Sequence, residues 1–186
     1  MRILMIDDFD FTYLDLEKKP LGGTMHGFIS LVRAFQSLGH SVVVRTATNE
    51  AFSNELVEWS NMRTPISGSF DLFIVNRFPR LFNYCPKCRN KVLWMRNTGK
   101  YLFKWPALRE VLREWRKFAF TSNYHKRTYP FFMPGGTRYV IPHGLDQELI
   151  QETTSSNKNL NVAFTSNPLR SLDWLVDLSC RFIHPK

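Results

Sequence analysis

The sequence predicts an α/β fold with a doubly wound, mostly parallel sheet, on three observations. Short apolar runs of strand length recur along the chain, and each is cut off by polar residues. Amphipathic helical stretches lie between them. Hydrophobic residues make up 44% of the 186, enough to bury a sizeable core, yet no run approaches the roughly 18 apolar residues of a membrane span.

The first run, Ile3 to Ile6, stops at Asp7 and Asp8, so a polar site is expected at its carboxyl end. Fifteen residues, Phe9 to Gly23, then fill a connection that is usually two to six residues long in such units. In the helix that follows, Met25, Phe28, Val32 and Phe35 recur at three- and four-residue steps, with Leu31 and Leu38 beside them. Thr24 is expected to cap its start and Gly39 to end it. Ser41 to Val44 gives a second buried strand, completing a right-handed βαβ unit. Without Cβ atoms, Gly22 and Gly23 leave room for backbone N–H groups to approach a ligand at the helix mouth, where the helix dipole suits phosphate. Equally, a paired glycine shapes a tight turn, and neither a P-loop nor a G-x-G-x-x-G is present.

Thr48 to Gly68 reads as a mixed connection with a short helix around Glu55 to Ser60. Leu72 to Val75 is a third strand, ending on Asn76 and Arg77, and Lys91 onward a fourth, ending on Arg96, Asn97 and Thr98. The stretch WPALREVLREWRKFA predicts an amphipathic helix with Leu108, Val111, Leu112, Trp115 and Ala119 on one face. Phe118 to Thr121 is a short strand leading to a helix start at Ser122 or Asn123, and Tyr139 to Ile141 is another strand, stopped by Pro142. These elements fill a first domain, 1–150. Residues 151–159 are polar and read as a linker, and the pattern restarts over 160–186 with a strand, LNVAFTSNP, and a helix bearing Leu172, Leu175, Val176, Leu178 and Phe182. One strand and one helix cannot bury a core, so this reads as the opening unit of an incomplete second domain.

The net charge of +9 sits in one segment: Lys87 to Arg127 holds twelve basic residues against Glu110 and Glu114. Such a patch suits an anionic partner, or is a solvated face offsetting an aromatic-rich chain. The start, MRILMIDD, lacks a signal-peptide pattern, and the three cysteines give no disulfide framework, so a cytoplasmic protein is expected. Cys85 and Cys88 have the spacing of half a zinc knuckle, but the chain has no second Cys-x-x-Cys; two free thiols in a loop are expected, and no metal.

The segments PLGGTMHGFISLVRAFQSLGHSVVV, KVLWMRNT, FAFTSNYHKRTY, YVIPHGLDQELI and NVAFTSNPLRSLDWLVDL, in this order, resemble the retaining glycosyltransferases of the GT-B fold, in particular glycosyltransferase family 4. The resemblance implies a Rossmann-like acceptor-side domain, followed by the start of a donor-binding domain. It implies a hexosyltransferase moving a sugar from a nucleotide-sugar donor to a glycan or lipid acceptor, with no cofactor or metal. By position, Gly22, Gly23 and Thr24 would lie against the donor phosphates, and Arg170 would bind them from the second domain. Acceptor-side candidates are Arg96 and Asn97 at the end of the fourth strand, Tyr124 and His125 in the next segment, and His143, which replaces the usual Asn of the IPNGVD-like element. Arg96 stands where such enzymes often carry a histidine, and the E-x7-E element of the family's second domain does not occur after the IPNGVD-like element within this chain. No general base is therefore assigned, and the chain alone is expected to bind nucleotide weakly and to be inactive. A location at the inner face of an anionic membrane would suit a lipid acceptor.

Three other readings compete. MRILMIDD is similar to the start of a response-regulator receiver, but Asn76 stands where that chemistry needs a nucleophilic carboxylate. A basic nucleic-acid-binding module would use Trp94, Trp105, Trp115 and Tyr124, which fall largely at core positions. A catalytically inert remnant or interaction subunit is the remaining alternative.

Overall fold

A computed structural model of the chain describes residues 1–85, 87–113, 117–133, 136–144 and 172–182. Residues 1–145 form one compact unit and 146–186 a second. The first unit is built on an eight-stranded sheet: β1 (Arg2–Ile6), β2 (Ser41–Thr46), β3 (Phe52–Ser53), β4 (Val57–Asn61), β5 (Leu72–Asn76), β6 (Lys91–Trp94), β7 (Lys117–Phe120) and β8 (Arg138–Val140), in the spatial order β3-β4-β2-β1-β5-β6-β7-β8. Only β3 runs antiparallel, against β4. The helices are α1 (Asp15–Lys18), α2 (Gly23–Ser37), α3 (Trp105–Arg113) and α4 (Asn123–Arg127), with 3₁₀ turns at Pro79–Tyr84 and Gly99–Phe103. The expected parallel pairing of β1 with β2 is present, with Ile3 opposite Val42 and Met5 opposite Val44.

Alternation along the strands gives the sheet an apolar core on each face. Ile3, Met5, Val42, Val44, Val57, Trp59 and Ile74 pack with Phe28, Ile29 and Val32 of α2. Leu4, Ile6, Phe73, Val75, Leu93, Phe118 and Phe120 point the other way, toward Leu81 and Phe82, Leu102 and Val111 of the 3₁₀ turns and α3. The architecture is thus an α/β, Rossmann-like sheet, covered on both faces.

Several expectations need correction. The segment around Glu55 to Ser60 is strand, not helix. Asn54 turns the chain by accepting N–H bonds from Leu56 and Val57 on its side-chain oxygen, and Val57 and Trp59 then alternate inward with Glu58 outward. Gly22, not Thr24, is the residue preceding α2, and no side chain caps that helix. Its buried stripe is Phe28, Ile29 and Val32, whereas Leu38 is exposed. Gly39 does terminate it, with φ of 75°, where a Cβ is disfavoured. Helix α3 ends earlier than the pattern predicts: Leu112 is exposed and Ala119 belongs to β7. The fourth strand is shorter than expected: it ends at Trp94, and residues 95–98 form neither strand nor helix before a 3₁₀ turn begins at Gly99. Ser122 caps α4 by accepting from the His125 N–H, as predicted.

In the second unit, α5 (Leu172–Phe182) forms where a helix is predicted, but Trp174, Val176 and Leu178 on it are exposed. Trp115, the linker 151–159, the strand expected near 160 and Arg170 lie outside the described residues.

Candidate functional site

The chain winds from β1 outward through β2 to β4, returns to place β5 on the other side of β1, and continues to β8. The two halves diverge between β1 and β5, and in such sheets a crevice opens there, outside the carboxyl ends of the strands. Here those ends carry Asp7 and Asp8 after β1, Asn76 at the end of β5 with Arg77 after it, and Arg96 just beyond β6.

These residues form one polar cluster. Asp7 is fully buried and accepts hydrogen bonds from the Asn76 amide, the Arg77 guanidinium and the Phe9 backbone N–H. Burial pushes its carboxyl pKa up, with the Arg77 charge and the hydrogen bonds opposing. Arg77 has φ of 68°, a left-handed conformation unusual for a bulky residue. Three interactions hold it there: the Asp7 ion pair, its N–H donating to the Trp94 carbonyl at 3.0 Å, and its own carbonyl accepting from the Tyr101 hydroxyl. Its guanidinium also lies 3.4 Å from the Phe9 ring centre. At the rim, Asp8 pairs with Arg80 at 2.5 Å.

Among the described residues, Arg96 is the cation of this cluster that faces no carboxylate directly. Its Nε donates to the Asn76 side-chain oxygen at 3.2 Å, its guanidinium stacks 3.5 Å from the Trp94 ring centre, and one terminal nitrogen lies 3.1 Å from His143 Nε2. The other terminal nitrogen is buried without a hydrogen-bond partner. Desolvation lowers its pKa to about 10, which leaves it charged at neutral pH. At Gly27, in the second turn of α2, a Cβ would stand 3.4 Å from the Arg96 guanidinium and 3.7 Å from His143 Nδ1. The first turns of α2 therefore border Arg96 and His143. A Cβ at Gly22 or Gly23 would meet nothing within 4 Å, and Gly22 has ordinary extended backbone, so neither glycine is required by packing or by φ. Thr24 is half-buried in the same turn.

The other acceptor-side candidates lie beside this cluster, not in it. His125 is buried with both ring nitrogens engaged: Nε2 donates to the Asn97 carbonyl at 2.6 Å, and Nδ1 faces the Thr121 N–H and hydroxyl. It ties α4 to the chain after β6. Tyr124 is exposed, as is Asn97. Asp7, Asn76 and Arg77, polar residues at the ends of apolar strands, complete the cluster together with Tyr101, which sits in a 3₁₀ turn and carries no such signal in the sequence. Cys85 and Cys88 are free, Cys88 with its thiol pKa raised by burial, and among the described residues no group of three or more potential ligands could hold a metal. Nor, among them, is any helix long and apolar enough to cross a membrane.

His143 should titrate below its ordinary value of 6.5, because burial and then the Arg96 charge both disfavour the imidazolium. The folded state then binds fewer protons than the unfolded one, so this group's contribution to stability is full above about pH 6.5 and declines as pH falls toward the folded value. Proton NMR of the ring is the measurement. Arg96→Gln should shift the midpoint part of the way back, since it removes the second cause and leaves the first; a wild-type midpoint at or above 6.5 contradicts the geometry.

No protein-family model, curated protein or solved structure matches the chain.

Proposed function

We propose that the chain provides the acceptor-side half of a glycosyltransferase that uses a nucleotide-sugar donor. The observation that carries this reading is the meeting, at the switch point of a parallel sheet, of the first turns of α2, which open on Gly22 and Gly23 and border Arg96 at Gly27, with that arginine, a desolvated cation that faces no carboxylate directly among the described residues. In the reaction, the acceptor hydroxyl oxygen bonds to the anomeric carbon, the bond from that carbon to the diphosphate breaks, and the hydroxyl proton is released with the nucleoside diphosphate. Charge develops on the leaving diphosphate, and N–H groups and a guanidinium stabilise it without a metal. Neutral His143, held against Arg96, is the hydrogen-bonding group for the acceptor side. In this reading Arg170 is the cation contributed by the donor side.

The test is transfer and donor-hydrolysis activity of the product of the whole reading frame, with UDP-, GDP- and ADP-sugars. Gly23→Val should leave the fold intact, since its side chain meets no protein atom within 4 Å at Cβ, yet should block approach of the diphosphate. Arg96→Ala should lower the rate by about a hundred- to a thousandfold, the usual loss for one charge-stabilising donor. Wild-type rates in both variants, or no activity toward any nucleotide sugar in the wild type, would defeat the proposal.

A further inference from the structure

A second surface, built from the turn between α4 and β8, has no part in the cluster just described. Phe131 is 92% and Phe132 68% exposed, and Phe103 is 42% exposed. Their rings form a group, with centres 5.6 Å apart for Phe131 and Phe132 and 6.5 Å for Phe132 and Phe103. Single exposed apolar side chains are ordinary, but three neighbouring phenyl rings turned to solvent mark an interaction site.

The turn that carries them is fixed. The Arg138 guanidinium donates to the carbonyls of Tyr129 at 3.3 Å, Pro130 at 3.1 Å, Phe131 at 3.4 Å and Met133 at 3.0 Å. Tyr129 and Met133 on either side are buried, so the backbone is anchored at both ends while the two rings project. The surroundings are basic. Lys100 and Lys104 are exposed at the 3₁₀ turn that bears Phe103, and with three residues per turn Lys100 lies on the same side as Phe103. Arg127 is exposed at the end of α4. No Asp or Glu occurs from 115 to 145.

We infer that Phe131, Phe132 and Phe103 form an insertion wedge for the interface of a lipid bilayer with anionic headgroups, with Lys100, Lys104 and Arg127 on the headgroup phosphates. Aromatic rings partition into the interfacial layer, where basic residues beside them add attraction to anionic lipid, and the two signals together give reversible peripheral binding. The surface does not depend on the transferase reading.

Vesicle co-sedimentation of the whole chain tests it, with phosphatidylglycerol–phosphatidylcholine vesicles against phosphatidylcholine alone, at low and physiological salt. Binding should be about tenfold or more stronger on the anionic vesicles and should weaken with salt. The double variant Phe131→Ser, Phe132→Ser should lose about tenfold or more while its urea midpoint stays at the wild-type value. Lys100→Glu with Lys104→Glu should lose the preference for anionic lipid. A tryptophan introduced by Phe131→Trp should show, in its difference emission from wild type, a blue shift and quenching by brominated lipid. Failure to bind anionic vesicles, or unchanged binding by the phenylalanine double variant, overturns the inference. So does lipid-free, concentration-dependent dimerisation that the same variant abolishes, since the wedge would then serve a second copy of the chain.

Discussion

Replacing Arg77 by Ala should destabilise the protein by about 3–5 kcal/mol, the usual cost of leaving one charge of a buried ion pair unpartnered. Asp7 is fully buried and the Arg77 side chain is 7% exposed, so water cannot take over for the missing partner. Asp7→Ala should cost a similar amount from the opposite side. The double variant Asp7→Leu, Arg77→Met should recover part of the loss, because it removes both desolvated charges, although Asn76 then loses its acceptor. Arg77→Gly separates the backbone from the charge. Glycine accepts φ of 68° without strain, so it should be less destabilising than Ala by about 1 kcal/mol. Urea midpoints at unchanged slope are the measurement. An Arg77→Ala protein within about 0.5 kcal/mol of wild type would show that the pair does not hold the switch point together.

Trp59→Ala should cost about 3–5 kcal/mol as well, through a different mechanism, the loss of a large buried side chain and the cavity it leaves. The indole is fully buried with edge-on contacts to Phe11 at 5.6 Å, Phe28 at 5.9 Å and Tyr13 at 6.3 Å between ring centres. It thereby joins β4 to α2 and to the long connection after β1. Its N–H donates to the Thr46 hydroxyl at 2.8 Å, which in turn donates to the Phe11 carbonyl at 2.9 Å. Trp59→Phe keeps most of the apolar volume and loses the N–H with two ring carbons, so about 1–2 kcal/mol is expected. Thermal or urea unfolding of the two variants gives the contrast; equal losses in both would place the energy in the hydrogen bond, not in the packing.

Trp59 also illustrates why part of the fold was hidden in the sequence. Around it, Leu56, Val57 and Trp59 fit a helical step almost as well as an alternation, and a strand this short carries too few residues to separate the two periods. What decides is Asn54, whose side chain forms the turn that pairs β3 with β4, and the open edge of β2 that β4 covers. The long connection is another case. Its length announced something unusual, but its anchoring through Phe11 in the core and the Tyr13 ring stacked on Phe52 at 4.4 Å depends on partners far along the chain.

The sequence by itself determined the class of fold, the strands β1, β2 and β5 with helix α2 between the first two, and the rule that polar residues collect where apolar strands stop, because these follow from local periodicity and side-chain chemistry. Only the tertiary structure decided which of those polar residues meet. Asp7 and Arg77 are seventy positions apart and meet because strand order lays β1 beside β5; Arg96 and His143 are forty-seven apart and meet where the chain ends β6 and leaves β8 on the same side of the sheet. Likewise, the exposure of Phe131 and Phe132 is set by the Arg138 clamp and the burial of Tyr129 and Met133, forces that act across the fold and leave no periodic trace in the chain.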